Sequence, residues 1–185
     1  MKLKTPFALT ALSLILSAGA LAHAATLIAL DLPALVRDSD YVVVANAEHE
    51  SARYQDKLIV TDTTLRVITS LKGSAKPGAT LIATHLGGAI DRVGLRVPGA
   101  AQFKLGESAI VFLRRAGEDL NVTGMSQGVL PITGAGASAQ VLPGGSGATL
   151  MQRASDGTLT EKPAQPAPPR SLSDMLAEIE RLAAQ

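Results

Sequence analysis

The sequence predicts a mostly β protein: a small, partly open barrel of five or six strands. A short helix precedes it, and a glycine-rich β extension and an amphipathic C-terminal helix follow. Three observations predict this class. Residues 58–73, LIVTDTTLRVITSLKG, form one long strand with Ile59, Thr61, Thr63, Leu65 and Val67 on one face at the strand period of two. Tyr41–Ala47 and Ala109–Leu113 are continuous apolar runs, the pattern of strands buried on both faces. And the chain lacks the regular succession of strand and helix patterns that a parallel α/β fold requires.

The elements follow in order. Thr26–Leu30 reads as a short first strand. Asp31 is placed to cap a short helix, with Pro33 in the first turn, where a missing N–H costs nothing. Leu32, Leu35 and Val36 make its apolar stripe, and it ends near Ser39. Glu48–Lys57 is polar and predicts a loop or the splayed end of a hairpin. The long strand then ends in a Lys72-Gly73 turn. Leu81–Leu86 predicts a strand, and residues 87–99 a glycine-punctuated excursion in which Val93, Leu95 and Val97 alternate as a hairpin arm. A turn at Leu105-Gly106 leads into the central strand Ala109–Leu113, and Leu120–Met125 pairs back on it.

Glycine is dense from Gly124 to Gly147, which predicts short edge strands or mobile hairpins. Ser155-Asp156-Gly157 predicts a hairpin turn between Thr149–Arg153 and Thr158–Lys162. A Pro-rich linker follows. Ser171, with Asp174 three residues on, then opens a helix with Leu172, Met175, Leu176, Ile179 and Leu182 on one stripe. The division expected is a signal peptide over 1–24, a barrel domain over 25–133 and a hairpin extension over 134–162. The linker covers 163–170 and the helix 171–185.

The first 24 residues carry the marks of a secretory signal: Lys2 and Lys4, an apolar stretch from Phe7 to Leu16, and Ala22-His23-Ala24 as a small-x-small cleavage site. The stretch is short for a membrane span, so none is expected after signal removal. The full chain has a formal charge of +1; without Lys2 and Lys4 it becomes −1, with 15 basic and 16 acidic residues. No basic patch remains to suggest nucleic acid, and two Tyr, three Phe and no Trp make a poor stacking platform for single strands. The absence of cysteine removes thiol catalysis and Cys–zinc sites, and fits a bacterial export route to the periplasm or the medium.

Candidate chemistry is sparse. Gly124-Met125-Ser126-Gln127-Gly128 matches G-x-S-x-G, whose elbow needs a strand-to-helix context. Pro131 soon after denies the helix, so a turn between strands is the expected structure. A hydrolase would need Ser126 with His49 or His85 as base and Asp62 or Asp91 as orienting acid, and no spacing joins them. No metal-ligand pattern is present and no cofactor is expected.

The blocks DLPALVRDSDYVVV (31–44), Leu71-Lys72-Gly73, Val97-Pro98-Gly99, Phe103, Gly106-Glu107 and Ser126-Gln127-Gly128 resemble a broad set of exported bacterial proteins of unknown function over residues 25–133. Strand, LKG turn, strand, then Phe-x-x-Gly-Glu before an apolar strand also looks like the OB-type barrel of netrin-like modules, which include tissue inhibitors of metalloproteinases. That resemblance implies an OB-like barrel and a binding role. The inhibitors' N-terminal cysteine has no counterpart here, so their mechanism is not implied. The expectation is therefore an exported, non-enzymatic binding or accessory module whose partner is another exported protein or an envelope component. Its candidate surface is the excursion from Leu86 to Phe103, with His85, Gly87, Gly88, Asp91, Arg92, Arg96 and Phe103. The alternatives are a periplasmic serine hydrolase using Ser126 and an envelope-associated structural protein held by the C-terminal helix.

Overall fold

The computed structural model describes residues 25–145, 147–162 and 167–185. The expected signal peptide, and residues 163–166 of the expected linker, lie outside the described residues. The elements are β1 (Ala25–Ile28), α1 (Leu32–Arg37), β2 (Tyr41–Gln55), β3 (Leu58–Lys72), β4 (Thr80–Leu86), β5 (Gly88–Ile90), β6 (Val93–Leu95) and β7 (Ser108–Ala116). They continue with β8 (Asp119–Val122), β9 (Val129–Thr133), β10 (Gln140–Val141), β11 (Ala148–Arg153), β12 (Leu159–Glu161), β13 (Arg170–Ser171) and α2 (Leu172–Ala183).

Five strands form a ring. β2 and β3 make a long antiparallel hairpin, from Val42 opposite Lys72 to Gln55 opposite Leu58, with three register shifts along it. Such irregularities bend a strand pair and let a sheet curl. β3 pairs β4, β2 pairs β7, and β7 pairs β8, all antiparallel. The ring closes where β4 and β8 run parallel, with Ala83 opposite Leu120 and Thr84 opposite Asn121. That seam is two residue pairs long, so the barrel is OB-like and partly open there, as expected.

The rest of the β structure is built outward. β9 takes the half of the β7 edge that β8 leaves free, pairing Pro131–Val129 with Ala109–Val111, and β10 and β13 follow in turn. Pro131 donates nothing but its carbonyl accepts from Leu142 N at 2.8 Å. β11 and β12 form the expected hairpin around residues 154–158. β1 lies outside the barrel, paired in parallel with β11 from Ala25 opposite Ala148 to Ile28 opposite Met151. The expected boundary between a 25–133 barrel and a 134–162 extension therefore does not describe β1, which belongs with the extension's hairpin.

Of the two structures expected over Glu48–Lys57, the hairpin end is the one formed and the loop is not. β2 continues through it to a two-residue turn at Asp56-Lys57, with Asp56 at φ +54°. Asp is among the few non-glycine residues that tolerate that region.

Two cores sit on the two faces of β2 and β7. Inside the barrel, Tyr41, Val43, Ala45 and Ala47 meet Leu65, Val67, Ala83, Val111, Leu113 and Val122. Outside, Val42, Val44, Ile110 and Phe112 are covered by Leu35 and Val36 of α1 and by Met175 and Ile179 of α2. This explains the apolar runs: apart from Asn46, every position on these segments is buried. α1 is capped by Asp31 Oδ1, which accepts from Ala34 N at 2.8 Å, and Lys72 Nζ donates to Val36 O at its other end. α2 begins at Ser171, whose Oγ accepts from Asp174 N at 3.5 Å. Its apolar stripe is spent on the barrel itself. Gly73 ends β3 at φ +92°, and a Cβ there would lie 2.6 Å from Asp40 O and from the Tyr41 ring. The LKG turn thus needs glycine on two counts. Among the described residues, no helix is long and apolar enough to cross a membrane.

Candidate functional site

Part of the predicted surface assembles at one end of the barrel. There the interior turns polar. Thr63 on β3 is fully buried, and its Oγ1 lies 3.1 Å from His85 Nε2 on β4 and donates to Glu50 Oε1 on β2 at 3.3 Å. Nδ1 is buried and has no hydrogen-bond partner among the described residues. The Phe103 ring packs against the imidazole, 5.6 Å between centroids. Burial pushes the His85 pKa below its ordinary value, and the nearby Glu50 and Asp62 carboxylates offset this only in part. Thr61 Oγ1 donates to Gly87 O at 2.7 Å. A Cβ at Gly88 would sit 2.3 Å from that same hydroxyl, so the excursion can leave β4 here only over a bare backbone.

His85, Gly87, Gly88 and Phe103 are thus brought together. Asp91, Arg92 and Arg96 are not. Asp91 and Arg92 form the exposed turn between β5 and β6, Arg96 is exposed beyond β6, and no hydrogen bond or ion pair joins them to the His85 group among the described residues.

Ser126 sits on a 3₁₀ turn, Met125–Gly128, between β8 and β9, so the G-x-S-x-G match is a turn between strands. Its N–H donates to Gly99 O at 3.0 Å; its hydroxyl is buried and unpartnered among the described residues. His49 is exposed on β2 and His85 is engaged with Thr63, so neither imidazole hydrogen-bonds Ser126. Asp62 faces the opposite side of β3 from Thr63 and serves an arginine instead of a histidine. Among the described residues, no group of three or more His, Asp or Glu is placed to hold a metal.

The most elaborate polar arrangement lies on the outer face, and the sequence did not announce it. Arg53 of β2 donates through Nε to Asp62 Oδ2 of β3 at 2.6 Å and through Nη2 to Asp119 Oδ1 of β8 at 3.0 Å. Thr84 of β4 donates to Asp62 Oδ1 at 2.7 Å, and Gln55 donates to Asp119 Oδ2 at 3.0 Å. One guanidinium thereby ties together strands on both sides of the narrow seam. Burial pushes the Asp62 carboxyl up, but hydrogen bonds from Arg53 and Thr84 and the guanidinium charge more than reverse this, leaving its pKa below the ordinary value. These groups, with Ile82, Glu118 and Leu120, line an open groove of about 680 Å³. The groove runs over β3 and β4 between the β2–β3 and β7–β8 turns, where OB-type barrels bind their ligands. It holds one arginine against Asp62, Glu118 and Asp119, a formal −2. In the sequence, the only hint was Asp62 in the middle of a β-branched strand.

No family model, curated protein or solved structure matches this chain.

Proposed function

We propose that this protein is an exported, non-catalytic binding module that engages a basic surface of another exported protein or envelope component through the groove on β3 and β4. The observation that carries this reading is the Arg53–Asp62–Asp119 network, which lines an acidic groove between two turns of an OB-like barrel. A net negative groove repels nucleic acid and attracts cationic side chains. The signal-like segment over residues 1–24 supports export, and the resemblance to exported bacterial proteins with netrin-like barrels supports a binding role. The polar barrel end and the Leu86–Phe103 excursion adjoin the β4 end of this face.

The test is crosslinking capture from the envelope fraction of an exporting cell, with the wild type and with Glu118→Lys/Asp119→Lys. A defined partner captured by the wild type, weakened by added salt and lost in the double variant, supports the reading. Capture of the same partner by both proteins, or of none by the wild type, contradicts it.

A further inference from the structure

His85 sits where the polypeptide leaves the barrel. Just beyond it, Gly87 and Gly88 hold φ at +96° and +129°, backbone that glycine adopts freely and that can serve as a hinge. β5 and β6 then form a separate two-stranded sheet, and the segment is held again where Gly99 O accepts from Ser126 N at 3.0 Å. The near end is closed on the barrel by Gly87. Its N–H donates to Ile59 O at 2.9 Å, and its carbonyl accepts from Thr61 Oγ1 at 2.7 Å. Gly88 follows, where an added Cβ would meet the Ala52 and Ile59 side chains within 3.5 Å.

The imidazole beside this hinge is buried and half satisfied. Nε2 lies 3.1 Å from Thr63 Oγ1, and Nδ1 has no partner among the described residues. An imidazolium carries N–H on both nitrogens, so protonation in place buries a charged donor that nothing accepts. The carboxylates whose charge reaches the ring are Glu50 of β2 and Asp62 of β3, and Asp62 is already engaged by Arg53 and Thr84. From beyond β6 the ring meets the uncharged Phe103, and no charged residue of the excursion is among the groups that act on it. Water reaches Nδ1 only when a neighbour moves. β3 is paired on both sides, with β2 and β4, and cannot yield without opening the barrel. The excursion can.

We infer that His85 is the catch of an acid-released latch, independent of the outer groove: protonating it frees residues 86–98 to lift on Gly87-Gly88, which uncovers Ile59 and the imidazole. The closed form holds the proton more weakly than the open one, so the open fraction rises as pH falls below 6.5. In acid the barrel end then offers an apolar surface that is covered at neutral pH.

The test is amide hydrogen exchange of the full chain, read by mass spectrometry between pH 7.5 and pH 5 and corrected for the intrinsic pH dependence of exchange. A hairpin as short as β5–β6 does not hold alone, so lifting exposes its amides. Residues 86–98 should lose protection about fivefold in acid, the low end for a buried donor left unpaired, while β3 and β7 keep theirs. The midpoint should coincide with the titration of the His85 ring followed by NMR, and His85→Gln should stay protected throughout. Glu50→Gln removes a carboxylate that favours the imidazolium, so it should move the midpoint to lower pH, an arm that stands even if His85→Gln does not fold. Protection of 86–98 that ignores pH in the wild type overturns the inference. So does a loss shared equally by β3 and β7, which is the whole barrel loosening, or a pH-dependent loss that persists in folded His85→Gln. A Glu50→Gln midpoint that stays or rises overturns His85 as the catch.

Discussion

His85 shows how one side chain can carry a readable signature. Its pKa is lowered in the folded state from 6.5, mainly by burial. The unfolded chain therefore binds a proton more readily, so stability falls as pH drops from about 7 through 6.5 to the lowered folded value and is flat below it. The depressed carboxylates Asp38 and Asp62 act in the same direction, but only below the carboxylate value of 3.8. Urea midpoints at pH 7.5 and 5.5 should differ for the wild type and converge for His85→Gln; an equal slope in both would assign the pH dependence elsewhere. Ser126 gives a second residue-scale prediction. With neither histidine bonded to its hydroxyl, a fluorophosphonate should leave the protein unlabelled, and labelling that disappears in Ser126→Ala would restore the hydrolase reading. Arg53 gives a third. It serves two partly exposed carboxylates, so Arg53→Met should cost about 1 kcal/mol by chemical denaturation, with a smaller loss in high salt.

At the scale of elements, burial decides what the sequence could reveal. β3 was legible because its inner positions Ile59, Thr61, Thr63, Leu65 and Val67 are all buried, which prints the period of two. β7 and the first half of β2 were legible as apolar runs because helices cover their outer faces. The second half of β2 was not. It lies where the barrel interior is polar, with Glu50 reaching Thr63, and its outer face holds Arg53 of the groove, so the strand carries no apolar alternation. β1 was legible as a strand but its partner was not, because a parallel pairing across more than a hundred residues leaves no local trace. α2 combines a readable stripe with a clear energetic role. Ile179 is fully buried against Val42, Val44, Ile110 and Phe112, so Ile179→Ala should destabilise the protein by about 3 kcal/mol in urea unfolding. A loss under about 1 kcal/mol would mean that the helix does not dock there.

For the whole molecule, closure of the ring is what creates the groove. β8 turns back from β7 and meets β4 over two residue pairs, and that meeting brings Asp119 within reach of Arg53. Neither partner could be named from the sequence, since the four strands that supply the network come from residues 53 to 119. The fold class was legible because strand periodicity is local; the site was not, because it exists only once the seam has formed. Solution NMR of the cysteine-free chain tests this most directly. Cross-strand NOEs linking Ala83 to Leu120 and Thr84 to Asn121, with slow amide exchange along the seam, are the result the account predicts. Rapid exchange along β4 and β8 as two free edges, with no such NOEs, would contradict it.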